Sequence, residues 1–149
     1  MPITDDFYQT VKQMEAVNHH FYTGDPTPMR ALWSHADDVT IFGGWGAYEQ
    51  GWEQVGPRLD WAAARFRGGH GTIEPLTMGM SGDLAYMVYI ERGEVRVAGR
   101  DELSPMALRV THIFRHEEGA WKIIHRHADA VTEKIEATAV LQPLRSSES

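Results

Sequence analysis

The chain has 149 residues, enough for one domain with its own core. Its net charge of -7 argues against nucleic acid or an anionic membrane as the main partner, and no stretch approaches the ~20 consecutive apolar residues of a membrane span. The absence of cysteine excludes disulfides, thiolate metal sites and a cysteine nucleophile. The N-terminus is acidic and polar, unlike a signal peptide, so we expect a cytoplasmic protein.

The predicted elements are three helices followed by a run of strands. A first helix begins near Asp5 and ends at Gly24, because apolar residues recur between them at helical spacing. Further helices are expected over about 27–33 and 52–66, and strands over about 39–42, 72–80, 84–97, 103–116 and 121–129. Helices followed by a meander predict an α+β fold, with the helices on one face of an antiparallel sheet. We expect a single domain over residues 1–131 and a C-terminal extension over 132–149 whose end is disordered.

Three segments resemble the nuclear transport factor 2-like superfamily: Gly24-Asp25, the run Ala36-Asp37-Asp38-Val39-Thr40, and the last hairpin, Leu108 to Asp129. The hairpin is similar to the SnoaL-like branch, and also to the association domain of calcium/calmodulin-dependent protein kinase II. The resemblance covers about residues 6 to 131. It implies a cone-shaped fold in which the helices and one face of a strongly bent sheet line a pocket, while the other face commonly makes a dimer. Members include ketosteroid isomerases, polyketide cyclases, dehydratases, small binding proteins and oligomerisation modules.

The residues of the ketosteroid isomerase site are absent from the matching positions. Val17 stands where the isomerase has its tyrosine oxyanion donor, Gly43 where it has its base, and His112 where it has a second acidic donor. In the kinase association domain the same alignment puts pocket arginines at His112 and Glu91. A fold of this kind hosts many activities, so the resemblance implies a pocket without fixing its chemistry.

Strand geometry predicts a histidine cluster in the last hairpin. If the turn centres on Glu118-Gly119, His112 lies opposite His125 and Val110 opposite His127. Because side chains alternate between faces, His112, His125, His127 and Asp129 then share one face, and Arg109 and Arg126 occupy the other. Imidazole has an ordinary pKa near 6.5 and exchanges protons near neutral pH. We therefore expect His112 and His127 to act as an acid/base pair oriented by Asp129.

Two other interpretations of the cluster stay open. One is that the histidines are packed, hydrogen-bonded parts of a dimer interface. Three imidazoles and a carboxylate also suit zinc or iron, although this spacing is not a metal motif. We expect neither a metal nor a cofactor.

The remaining candidates are ligand contacts. His125 is expected to tune His112 or to donate to an oxyanion. Tyr89 and Glu91 share a strand face, Trp45 lies in a glycine-rich loop suited to the mouth of a pocket, and Val17 and Val110 are expected as apolar lining. The sequence thus predicts a homodimeric pocket protein for a mostly apolar molecule with a carbonyl or hydroxyl group, with isomerase, cyclase or dehydratase chemistry if it is an enzyme. The alternative is a non-catalytic dimerisation or ligand-sensing module.

Overall fold

The three described α-helices all lie in the N-terminal half of the protein. The structure, a computed structural model, describes residues 2–141. Helix α1 spans Asp5–Tyr22, α2 spans Thr27–Leu32 and α3 spans Trp52–Ala63. The first helix begins as its two aspartates suggest, since negative charge in the first turn favours the positive end of the helix dipole. The third ends at Ala63, three residues before the predicted end, because the chain enters a strand at Phe66.

Six strands form one bent sheet in the spatial order β2-β1-β6-β5-β4-β3. Their bounds are β1 Thr40–Phe42, β2 Glu49–Gln50, β3 Phe66–Ser81, β4 Leu84–Val97, β5 Ser104–Glu117 and β6 Ala120–Ala130. Strands β3 to β6 form the predicted antiparallel meander. The pairing of β1 with β6 is parallel, so the sheet is mixed, not wholly antiparallel.

The helices pack on one face of the sheet, which we call the inner face. The core there includes Phe7 and Met14 of α1, Leu59 of α3, and Phe114 and Ile123 of the sheet. The α+β class and the helices on one face of a bent sheet are therefore confirmed. A single 3-10 turn, Ala137–Val140, follows the sheet, and the expected disordered end lies outside the described residues.

A β-bulge in β6 overturns the predicted register of the last hairpin. The turn lies at Glu118-Gly119, and Glu117 pairs with Ala120 as expected. Ile124 is then an extra residue, so His112 pairs with Arg126 instead of His125. From the bulge onward every side chain of β6 faces the side opposite to the predicted one.

The bulge has an identifiable physical origin in the neighbour of β6. As far as Ile123, the segment after α2 pairs with the edge of β6 that faces away from β5. There the Ser34 N–H donates to the Ile123 carbonyl at 2.9 Å. From His125 the edge pairs with β1, beginning at Thr40. Because β6 changes its pairing partner between Ile123 and His125, Ile124 pairs with neither neighbour.

Candidate functional site

A cavity of about 300 Å³ opens between α1, α3 and the inner face of the sheet. Most of its wall is apolar. The wall includes Phe21, Met29, Leu59, Phe66, Val95 and Met106. Trp45 also lines it, with its ring 5.5 Å from Phe66 and 5.6 Å from Trp61 between centroids, and 47% of Trp45 remains exposed. Such a space suits the apolar body of a small molecule.

The floor of the cavity carries a buried ion pair. Arg126 of β6 and Glu91 of β4 both line it, and their side chains are 14% and 5% exposed. Arg126 Nη2 lies 3.5 Å from Glu91 Oε1, and the Tyr22 hydroxyl of α1 donates to Glu91 Oε2 at 2.5 Å. The bulge creates this pair, because without it Arg126 would face away from the helices.

A second contact surface of Arg126 lies behind the floor. Its Nη1 is 3.2 Å from Tyr89 Oη and 3.1 Å from His112 Nε2. Tyr89 and His112 are 0% and 1% exposed and contact each other edge to face, with ring centroids 5.4 Å apart. Three adjacent strands therefore supply one polar network inside an apolar core.

Burial and charge set the protonation states in this network. Burial, followed by the nearby Glu91 carboxylate, raises the pKa of Tyr22, so its hydroxyl stays protonated. Burial has the largest single effect on Arg126 and lowers its pKa, but the Glu91 carboxylate, Tyr89 and Tyr22 together outweigh burial, so the pKa of Arg126 is raised. Burial, and then the Arg126 cation, lower the pKa of His112 well below 6.5. The floor thus presents a permanent cation beside a carboxylate, with a neutral imidazole behind them.

The predicted histidine cluster is divided between the two faces of the sheet. His112 faces inward, whereas His125, His127 and Asp129 lie on the outer face. There the His125 ring nitrogen Nδ1 is 2.7 Å from the Thr40 hydroxyl, and Asp129 accepts two hydrogen bonds from Arg109, at 2.6 and 2.9 Å. The prediction that His112 and His127 form an acid/base pair oriented by Asp129 is therefore wrong, and so is the prediction of His125 beside His112.

The aromatic ring of Phe42 contacts both outer histidines, with its centroid 5.2 Å from that of His125 and 5.3 Å from that of His127. The His127 side chain is 52% exposed, so it belongs to a surface. Within residues 2–141 no group of three or more histidine, aspartate or glutamate side chains is placed to hold a metal ion.

The other predicted ligand contacts have different positions. Trp45 and Glu91 line the cavity, and Tyr89 contacts it only through Arg126. Val110 is 2% exposed in the core beside Tyr89 and is not a wall residue. Val17 lines a separate groove between α1, α2 and the β5–β6 turn, so the prediction that it lines the same pocket is wrong.

Sequence reasoning missed Arg126 and Tyr22. The unbulged register predicts Arg126 on the outer face, and the neighbours of Arg126 in the sequence carry no signal of the bulge. Tyr22 ends α1, four residues after the buried Asn18, on the helix face that α1 turns to the sheet. That spacing was the available signal for Tyr22.

Comparisons with known proteins agree on the family and the fold. The model of the SnoaL-like domain family matches residues 11–132. A candidate dehydratase of the NTF2-like family from Streptomyces avermitilis is similar in structure, with a TM-score of 0.72, 18% identity, and coverage of 86% of this chain and 95% of that one. A candidate calcium/calmodulin-dependent protein kinase II association domain from Xanthomonas campestris has a TM-score of 0.71 at 18% identity, with 90% and 94% coverage.

A candidate scytalone dehydratase from Novosphingobium aromaticivorans has a TM-score of 0.69 at 12% identity, with 85% of this chain and 83% of that chain covered. No curated protein is significantly similar in sequence. Among residues 2–141 no helix is long and apolar enough to cross a membrane. At these low identities the similar structures are evidence for the fold alone. The family model, in contrast, matches most of the sequence. The chain belongs to the SnoaL-like domain family.

Proposed function

We propose that the cavity binds a mostly apolar small molecule through its carbonyl or hydroxyl oxygen, and that the floor pair exchanges a proton with it. The observation that carries the proposal is a buried ion pair, Glu91 with Arg126, facing a cavity that is otherwise mostly apolar. Of the five N–H donors of a guanidinium, three contact Tyr89, His112 and Glu91 within the described chain. The others are free to meet an oxygen of the ligand.

The two floor residues have complementary roles in a proton transfer. Glu91 takes a proton from the carbon next to the carbonyl, and the electron pair of that C–H bond moves to the carbonyl oxygen. The Arg126 cation stabilises the negative charge that develops there. Return of the proton to another carbon completes an isomerisation, and its transfer to a departing hydroxyl completes a dehydration. Tyr22 donates to Glu91 and holds the carboxylate in place.

Two of the similar structures are described as candidate dehydratases, which fits the second outcome. The alternative is a ligand-sensing or dimerisation module that moves no proton. It is favoured by the internal satisfaction of the network, in which both oxygens of Glu91 already accept hydrogen bonds. The similarity to kinase association domains fits the same alternative.

The proposed assembly is a homodimer formed through the outer face of the sheet. Phe42 and Tyr86 are 41% and 44% exposed on that face. Phe42 lies beside His125 and His127, and Tyr86 lies on β4. Exposed aromatic side chains on one face are typical of an interface between protein subunits.

Binding is tested with prodan, a fluorescent naphthyl ketone whose emission reports the polarity around it. We expect the parent protein to shift prodan emission to the blue with saturable binding. Ala62→Trp, which fills the cavity at its wall, is expected to abolish the shift, whereas the matched control Ala16→Trp, on the exposed side of α1, is expected to preserve it. Equal binding by all three proteins would place the ligand elsewhere and reject the proposal.

Catalysis is tested on the same ligand in heavy water. The carbon next to the prodan carbonyl exchanges hydrogen for deuterium, and proton NMR measures the rate. We expect the parent to accelerate this exchange and Glu91→Gln to lose the acceleration while still shifting prodan emission. Binding by the parent without faster exchange would favour the non-catalytic alternative.

A further inference from the structure

Arg126 is held from behind by two side chains that stand outside the cavity wall. Its Nη1 contacts Tyr89 Oη at 3.2 Å and His112 Nε2 at 3.1 Å, and both partners are buried. The three residues come from β6, β4 and β5, which are neighbours in the sheet. A single nitrogen of the guanidinium is therefore fixed by two rigid aromatic side chains on adjacent strands.

The contact with Arg126 determines the protonation state of His112. A guanidinium always donates, so Nε2 must accept, and the ring proton then lies on Nδ1. Nδ1 is buried and has no hydrogen-bond partner within residues 2–141. An unpartnered buried N–H is unfavourable. The contact between Nε2 and Arg126 therefore compensates for the free-energy cost of burying the His112 ring.

Fixing one end of a planar guanidinium orients its remaining donors. Nη2 lies beside Glu91, 3.5 Å from Oε1, and Arg126 forms part of the cavity floor. The titratable groups around His112 are Tyr89 on β4, Arg126 on β6, and His125 on the opposite face of the sheet. Of these, Arg126 is the one within hydrogen-bond distance of the ring.

We propose that His112 is a positioning residue: as a neutral acceptor, together with Tyr89, it fixes Arg126 so that the donors facing the cavity are oriented before a ligand arrives. The part of this proposal that concerns ligand binding rests on the proposed function above. Preorganised donors bind an oxygen more tightly, because no free energy is spent on ordering them during binding.

Three variants separate positioning from general packing. His112→Gln keeps a side-chain oxygen that can accept from Arg126, whereas His112→Leu removes the acceptor. Phe114→Leu is the matched control, since Phe114 is buried on the same strand and face, with its ring 5.6 Å from that of His112, and makes no polar contact. The dissociation constant of prodan and the melting temperature are measured for each.

We expect His112→Leu to weaken prodan binding by about tenfold or more, the effect of losing one hydrogen bond to a charged group. His112→Gln is expected to restore most of the affinity, and Phe114→Leu to lower the melting temperature without changing the affinity. If the Leu and Gln variants bind equally while the parent binds prodan, the positioning role is overturned and the proposed function stands.

A second measurement does not depend on the ligand. Nitrogen-15 NMR of the His112 ring at neutral pH is expected to show a proton on Nδ1 and none on Nε2. The Arg126 Nε–H signal is expected to broaden in His112→Leu and to stay sharp in His112→Gln. A proton on Nε2 of the parent, or an unchanged Arg126 signal in His112→Leu, would overturn the proposal even if the parent failed to bind prodan.

Discussion

Replacing Arg126 with methionine tests how strongly the buried network depends on its one cation. The substitution leaves the Glu91 carboxylate, 5% exposed, with Tyr22 as its remaining hydrogen-bond donor among the described residues. It also removes the donor to the buried Nε2 of His112. Breaking a buried ion pair by removing one partner costs about 3 to 5 kcal/mol, because the other charge stays buried without compensation.

The matched control is Arg109→Met on the outer face. Arg109 also pairs with a carboxylate, Asp129, at 2.6 Å, but their side chains are 65% and 42% exposed. Water screens such a pair, so its loss is expected to cost far less stability than the loss of the buried pair. The double variant Glu91→Leu with Arg126→Met is expected to recover part of the lost stability, since it leaves no unpaired charge.

Urea unfolding followed by circular dichroism measures the free energy of unfolding of all four proteins. We expect Arg126→Met to lose several times more stability than Arg109→Met. The slope of the free energy of unfolding against urea concentration is expected to stay unchanged. Equal losses for the two variants would refute the argument, because the two ion pairs differ chiefly in burial. A double variant less stable than Arg126→Met would show that Glu91 is stabilised by something other than the arginine.

Three further predictions concern pH, assembly and close packing. Burial lowers the pKa of His112 in the folded chain, so the unfolded chain binds the extra proton as pH falls below 6.5 and the free energy of unfolding decreases there. His112→Gln is expected to show a flatter pH profile of the free energy of unfolding. Phe42→Asp, a charge on the outer face, is expected to shift the sedimentation mass from twice 16.8 kDa towards one chain, and a parent that sediments as one chain would contradict the dimer. A Cβ on Gly93 would lie 2.2 Å from the backbone oxygen of His70, so Gly93→Ala is expected to lose about 1 to 3 kcal/mol, whereas Gly43→Ala, with open space around it, should unfold at the parent's urea midpoint.

The sequence was sufficient for the fold because its signals are local. Helical spacing in α1, the turn at Glu118-Gly119 and the bounds of β4, Leu84–Val97, agree with the structure. Alternation along β4 also put Tyr89 and Glu91 on one face, the inner one. These features depend on neighbours within a few residues, and residues 11–132 match the family that the resemblance suggested.

The site was harder to predict because it depends on tertiary pairing. Nothing in the run from Trp121 to Asp129 marks Ile124 as a bulge, since the change of partner occurs on the far side of the strand, at Ser34 and Thr40. One inserted residue moved Arg126 to the cavity and His127 to the surface. The chemistry consequently changed from a pair of histidines to a carboxylate beside an arginine.

A crystal structure of the parent protein with prodan bound tests the central claim most directly. We expect the naphthyl rings to lie between Phe21, Leu59 and Phe66, with the ketone oxygen within hydrogen-bond distance of the Arg126 guanidinium. Prodan seated on the outer face of the sheet, or in the cavity with its ketone oxygen turned away from Arg126, would contradict it.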